Sequence, residues 1–277
     1  MRFSRRAFAR VTGAAAFSAG ALPAQKGPLT AQEVIDRADG TIAVSAGDPK
    51  TPVRGIATTA MATMDVLTRA LKENFNLIVT LEPTFFGRVD APLPDDAVYQ
   101  AKQEFIRKNG LVIWRVGDHF RNRKPDPFAT GLAEALAWKP HQAGDDVFRY
   151  HLPPESLATL VDHVKKQLKA NAGIRVIGDP QTRVSSIALL PGVSPLAATM
   201  KVLPDCDVVL AGETREWESV EYAADTVAAG QKKGLILVGR VVSEDPGMNL
   251  CAQWLKSLVP GIPVRWIPTG DPYWRPA

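Results

Sequence analysis

The sequence predicts an α/β fold made of two similar halves, each a mixed, mainly parallel sheet with helices, and a crevice between the two lobes. Three observations carry this expectation. Short apolar, β-favouring runs alternate with segments of helical spacing, the pattern of parallel strands joined by helical crossovers. One run, Asn76-Leu77-Ile78-Val79-Thr80-Leu81-Glu82-Pro83, reads as a buried strand that ends on a carboxylate, with Pro83 barring its continuation. That stretch recurs as Asp207-Val208-Val209-Leu210-Ala211-Gly212-Glu213-Thr214, again with Glu at the end.

In chain order, Thr30 and Glu33 form a capping-box signature for a helix from Ala31, with Gly40 as its C-cap. Ala46-Gly47-Asp48-Pro49 is a turn, and Val53 to Ala60 a strand. Met64, Val66, Leu67, Ala70 and Leu71 have helical spacing, and that helix ends near Glu73-Asn74. The central strand follows, and Phe85-Phe86 packs a loop beyond Pro83. Ala97 to Lys108 is an amphipathic helix stopped by Asn109-Gly110. Leu111 to Val116 is a strand running into Gly117-Asp118-His119-Phe120. Arg121 to Pro127 is a basic, proline-broken loop, and Phe128 to Leu136 a helix.

Val147 to Leu152 reads as a strand stopped by Pro153-Pro154, with a helix over Glu155 to Ala170. Gly173 to Ile177 and Val184 to Leu190 are strands. The loop Pro191 to Pro195 opens a helix over Leu196 to Val202. After the second copy of the central strand come a helix from Glu216 to Ala229 and a strand from Gly234 to Arg240. Val241 to Pro246 follows as a connection, Met248 to Leu258 as a helix and Val264 to Ile267 as a last strand.

The two halves match element by element. Gly55–Ala60, helix, Asn76–Glu82, helix, Gly110–Val116 corresponds to Val184–Leu190, helix, Asp207–Glu213, helix, Gly234–Arg240. The expected division is 29–152 for the first repeat and 153–277 for the second. Parallel pairing gathers the strand-end side chains on one side, where open α/β sheets bind ligands. These are Glu82, Asp118 and His119 from the first copy, and Glu213, Arg240 and Glu244 from the second.

Composition is that of an ordinary globular protein, and its net charge of +4 gives no nucleic-acid footprint. Part of that excess lies in Arg2, Arg5, Arg6 and Arg10, and the body lacks a basic stripe interleaved with aromatics. Cys206 and Cys251 read as reduced core thiols rather than a disulfide. No apolar run in the body is long enough to span a membrane. Residues 1–25 have the layout of an export signal. Paired arginines precede Phe8, a short Ala- and Gly-rich stretch follows, and small residues near Ala21 to Ala24 suit cleavage. The pair Arg5-Arg6 resembles a twin-arginine signal, which implies export to the periplasm.

At Gly55-Ile56-Ala57-Thr58-Thr59, Leu77 to Pro83, Gly117-Asp118-His119, Ala211-Gly212-Glu213 and Gly239 to Glu244, the chain resembles a family of hexameric dinuclear-metal-centre proteins. These are the GTP cyclohydrolase 1 type 2 homologues, or interacting-factor-three-like proteins. The resemblance covers roughly Thr30 to the C-terminus. It implies two intertwined α/β repeats, a toroidal homo-hexamer and a pair of divalent metals between the lobes. The family's His-His-Pro or His-Glu-Pro motif reads Leu81-Glu82-Pro83 here. Its Asp after the third strand matches Asp118. Its Gly-His, with Glu four residues beyond the His, reads Gly239-Arg240 with Glu244 retained.

Two imidazoles have therefore become Leu81, which has no lone pair, and Arg240, which cannot ligate and repels a cation. Glu82, Asp118 and Glu244 remain as candidate metal ligands, with His119 and Glu213 as weaker ones. This remnant implies a divalent ion (Mg, Mn or Zn) held weakly or not at all, and its oxygen-rich donors suit Mg, Mn or Ca better than zinc. Alternatively, Arg240 takes the second metal's place and pairs with the carboxylates. Two functions stay open. One is a metal-dependent hydrolase with a degraded metal site. The other is a non-catalytic exported oligomer that binds a small anionic ligand at Arg240 or acts as an interaction scaffold.

Overall fold

A computed structural model describes residues 27–40, 44–87, 89–170 and 173–274, so the expected export signal lies outside the described residues. Two mixed sheets form the frame. The first has β1 (Val44–Ala46), β2 (Ile56–Thr59), β3 (Leu77–Thr80), β4 (Val112–Arg115) and β11 (Val264–Trp266), in the order β1-β4-β3-β2-β11. The second has β5 (Gln142–Ala143), β6 (Asp146–Ser156), β7 (Arg175–Ile177), β8 (Arg183–Val193), β9 (Val208–Glu213) and β10 (Gly234–Leu237), in the order β5-β6-β8-β9-β10-β7. The expected duplication is present: β2-β3-β4 and β8-β9-β10 are parallel trios, each flanked by an antiparallel strand. The halves are intertwined, because the C-terminal β11 pairs with β2. The division expected at 152/153 falls inside β6.

Alternation along the strands assigns each sheet two apolar faces. Leu77, Val79, Val112 and Trp114 face one cluster, while Ile78 and Ile113 face another, which also holds Val66 and Leu67 of α2 (Met64–Lys72) and Ile106 of α3 (Ala97–Lys108). In the second sheet Val208 and Leu210 face inward. Val209 and Ala211 face a cluster with Ala223 of α8 (Glu221–Ala228), beside which lies α7 (Leu196–Val202). Between the sheets lie α5 (Pro127–Ala135) and α9 (Arg240–Leu258). Phe128 of α5 and Met248, Cys251 and Leu255 of α9 join the first sheet's inner cluster; Leu132 and Ala133 of α5 join the second's. The two helices touch backbone to backbone, since a Cβ on Gly131 would meet the Gly247 Cα at 2.7 Å.

Several local expectations are corrected. The first helix, α1 (Ala31–Arg37), has its capping box, but Asp39 rather than Gly40 takes the left-handed position, at φ 50. The sixth strand does not stop at Pro153-Pro154. It runs to Ser156 across a register shift, and prolines are tolerated where ladder bonds are already interrupted. Likewise β8 runs through Pro191-Gly192 to Val193 with a shift of register. A short helix, α4 (Gly117–Arg121), follows Val116 and takes in Arg121, the first residue of the expected loop. The stretch Glu216–Val220 is a π turn ahead of α8, and Leu157–Gln167 forms α6 behind the Ser156 cap.

The largest correction concerns Arg240. The strand ends at Leu237, and Arg240 opens a 19-residue helix that carries Pro246 inside it. The Val241–Pro246 stretch is therefore helical, which sets Arg240 and Glu244 one turn apart on the same face. Cys206 and Cys251 are buried free thiols, and burial pushes the Cys206 thiol up to about 11. Among the described residues no helix is long and apolar enough to cross a membrane.

Candidate functional site

The registers bring the carboxyl ends of the parallel strands to one level in each lobe. Thr59 pairs with Thr80 and Thr80 with Arg115 in the first, while Ala211 pairs with Leu237 in the second. Glu82 follows β3 directly, and its backbone N–H donates to the Ala60 carbonyl at 3.0 Å. In the other lobe the chain leaves β10 through Gly239, whose φ of +94 favours glycine, and enters α9 at Arg240.

The two ends meet in an ion-pair cluster. Arg240 Nη2 donates to Glu82 Oε1 at 2.5 Å, and Arg240 Nε to Glu244 Oε2 at 3.4 Å. Glu244 is 1% exposed, and its other oxygen accepts from Arg121 Nη2 at 2.5 Å. The Arg121 guanidinium also lies 4.6 Å from the Phe128 ring centre, a cation–π contact that fixes it over α5. Arg115 Nε reaches the Leu81 carbonyl at 3.4 Å. Two glycines make room. A Cβ at Gly192 would collide with the Glu244 carboxylate, and one at Gly212 with the Ser243 hydroxyl. That hydroxyl accepts from Gly192 N at 2.9 Å and donates to the Arg240 carbonyl at 2.7 Å, locking the turn between lobe and helix.

The other strand-end residues stand apart from these ion pairs. Asp118 is exposed on the first turn of α4. His119 is half-buried; its Nε2 bonds the Ala38 carbonyl at 2.7 Å and its ring lies against Trp254. Glu213 is exposed at the end of β9 and shares with Arg240 the wall of a cavity of about 410 Å3. Leu81 is 2% exposed, packed in the core with Val79, Trp114 and Phe128.

Two residues of the region were not singled out in the sequence, Arg121 and Asp245. Arg121 was hidden in a stretch read as a basic loop. Asp245 sits 7% exposed beside Glu244 and accepts from Ala60 N at 3.1 Å, Thr269 N at 2.8 Å and Trp266 Nε1 at 3.3 Å. Burial raises its pKa, with those three donors opposing the shift. It ties α9 to the end of β2 and to the segment after β11. The four-residue spacing of Arg240 and Glu244 was the available signal that the segment is helical.

The donor chemistry does not fit a pair of divalent cations as the side chains stand. Both oxygens of Glu244 and one of Glu82 are engaged by guanidinium groups, and Leu81 offers no donor. A cation bridging Glu82 and Glu244 would have to displace Arg240. Among the described residues no three His, Cys, Asp or Glu side chains are grouped to hold a metal ion.

The family model described as Duf34/NIF3 (NGG1p interacting factor 3) matches residues 38–271. No curated protein sequence matches the chain. Among solved structures, the Staphylococcus aureus hypothetical protein SA1388 superposes with a TM-score of 0.67 at 13% identity, covering 90% of this chain and 99% of that one. A Bacillus cereus protein related to NIF3 gives 0.67 at 16% identity, with the same 90% and 99% coverage. Reduced HcgD from Methanocaldococcus jannaschii gives 0.55 at 14% identity, covering 87% of this chain and 97% of HcgD. At these identities the likeness is one of fold.

Proposed function

Because the chain belongs to the Duf34/NIF3 family, we propose that it is a variant in which guanidinium groups hold the strand-end carboxylates and the crevice beside Arg240 takes a small anionic ligand. The observation that carries this reading is the double role of Arg240, which bridges Glu82 and Glu244 while standing on the wall of the 410 Å3 cavity. Arg121 and Arg240 match in number the two carboxylates, Glu82 and Glu244, that they hold. The first turn of α9 adds positive potential. Gly239 provides no side-chain cap, and Arg240, Val241 and Val242 of that turn, at the positive end of the helix dipole, are residues of the cavity wall.

Glu213 and Asp271 share that wall, so the site suits a ligand with one anionic group that also offers a hydrogen-bond donor. For metal-dependent hydrolysis, the carboxylates would first have to exchange their arginines for a cation, and no contact in the cluster favours that second reading. The proposal includes export by the twin-arginine route and self-association, with a hexamer as the family resemblance implies. Light scattering of the purified protein tests the assembly, and a clean monomer would count against it.

Calorimetric titration with inorganic phosphate tests the ligand reading. Phosphate should bind the unaltered protein and lose roughly tenfold or more in affinity in Arg240→Gln, the scale expected when a charge-assisted contact is removed. Equal affinity in both proteins would overturn the reading.

A further inference from the structure

The crevice also constrains the part of the ligand that lies beyond its anionic group. Two cavities stand side by side between the lobes, of about 410 and 450 Å3, each large enough for a small organic molecule. They share Ala170, Val241, Val242, Gly270 and Asp271 as wall, so they are compartments of one crevice. The first is the more polar of the two, with Arg240 and Glu213 on its wall. The second is bounded mainly by carbon: Ala135, Leu168, Pro246, Trp266 and Pro268.

The partition follows from α9. Arg240 at its first position faces the polar compartment, and Val241 and Val242 line both. Asp245 lies on the second, but its carboxylate is already taken by Ala60 N, Thr269 N and Trp266 Nε1. The indole N–H of Trp266 is committed by the same contact, which leaves that residue's contribution to the compartment apolar. The remaining charges there, Lys169 and Asp271, are on exposed residues. A bare inorganic anion would fill only the polar side.

We infer that the ligand is an amphipathic small acid, with its anionic head at Arg240 and a flat apolar body seated between Val242, Pro246 and Trp266. This rests on the anion reading of Arg240. Burying the body against carbon adds affinity in proportion to the apolar area removed from water, which an inorganic anion cannot gain.

A sulfonate series with one head and a growing body isolates this contribution: methanesulfonate, benzenesulfonate and naphthalene-1-sulfonate, titrated calorimetrically. Affinity should rise along the series, with naphthalene-1-sulfonate about tenfold or more tighter than methanesulfonate. Two variants act on residues that line the apolar compartment and not the other. Leu168→Asp places a charge in it, and Ala135→Phe fills it from the end of α5. Each should cut the naphthalene advantage to about twofold or less, and thermal melting identifies a variant that has lost its fold. Ala135→Phe keeps the test alive if Leu168→Asp unfolds, because Leu168 also packs against the second core cluster. Equal affinities along the series, or an advantage that survives a folded variant, would overturn the inference. If methanesulfonate and phosphate bind in an Arg240-dependent way without a gain along the series, this inference falls and the anion reading stands. If no sulfonate and no phosphate binds, both fall.

Discussion

Arg240 Nη2 lies 2.5 Å from Glu82 Oε1, joining residues 158 positions apart and clamping the end of β3 to the first turn of a helix that issues from the other sheet. The same guanidinium reaches Glu244 at 3.4 Å, so one side chain ties a carboxylate of each repeat. Glu244, 1% exposed, has no route to water for its charge and depends on Arg121 and Arg240.

The clamp should be measurable as a coupling energy. Arg240 is 38% exposed, so solvent screens its part, and a double-mutant cycle of Arg240→Met with Glu82→Gln should give about 1 kcal/mol. Arg121→Met removes the shorter contact to the buried carboxylate and should cost more, about 3 kcal/mol. Urea denaturation of the four cycle members and of Arg121→Met checks both. Additive effects in the cycle would mean that the pair does not hold the lobes together.

Lys102 predicts a pH dependence outside the crevice. Its Nζ donates to the Thr84 carbonyl at 2.5 Å beneath the loop that follows Glu82, and the rings of Phe85 and Phe86 lie 5.7 and 5.6 Å away. Burial pushes its ammonium down from 10.5 to about 8, with Asp90 opposing. The folded value lies below the unfolded one, so between about pH 8 and 10.5 the unfolded chain binds more protons and stability rises with pH. Lys102→Met lacks this gain. Its stability relative to the parent should therefore fall by about 3 kcal/mol from neutral pH to pH 10.5, read by denaturation at both ends. A constant difference would place the lysine's charge in water.

Much of the fold was legible because local and tertiary preferences agree. Ala97–Lys108 and Leu196–Val202 have their predicted ends, and the strand trios of the two repeats pair as expected. Prolines misled where tertiary pairing overrode their local meaning. Pro153 and Pro154 lie inside β6, Pro191 inside β8, and Pro246 inside α9, where each had read as a stop or a connection. The three-residue β1 and two-residue β5 carry too few side chains to show a period.

In the site, the pairing of Arg240 with Glu82 and Glu244 was legible, since a strand-end motif and its missing imidazoles named all three. Arg121 was not, because its role depends on a helical turn that Asn122 and Pro125 obscure in the sequence. Asp118 and His119 show the limit of proximity along the chain. They adjoin Arg121 in one short helix, yet one is exposed and the other turns to the Ala38 carbonyl.

The paired arginines at Arg5-Arg6 predict a change in localisation. Replacing both with lysine should leave the protein in the cytoplasm. Cell fractionation followed by immunoblotting would check this, and normal export of the double variant would refute the twin-arginine reading.

The most direct test of the central claim, that guanidinium has taken the place of a cation between Glu82 and Glu244, is a calorimetric titration of chelator-treated protein with Mn2+. Arg240→His is the informative partner, because it frees Glu82 and one oxygen of Glu244, the other staying with Arg121, and supplies an imidazole one turn from Glu244. Restoring an imidazole at Leu81 instead would break a position that is 2% exposed in the core. The account predicts no tight binding by the unaltered protein and the appearance of a binding isotherm in Arg240→His. Two Mn2+ ions bound tightly by the unaltered protein would contradict it.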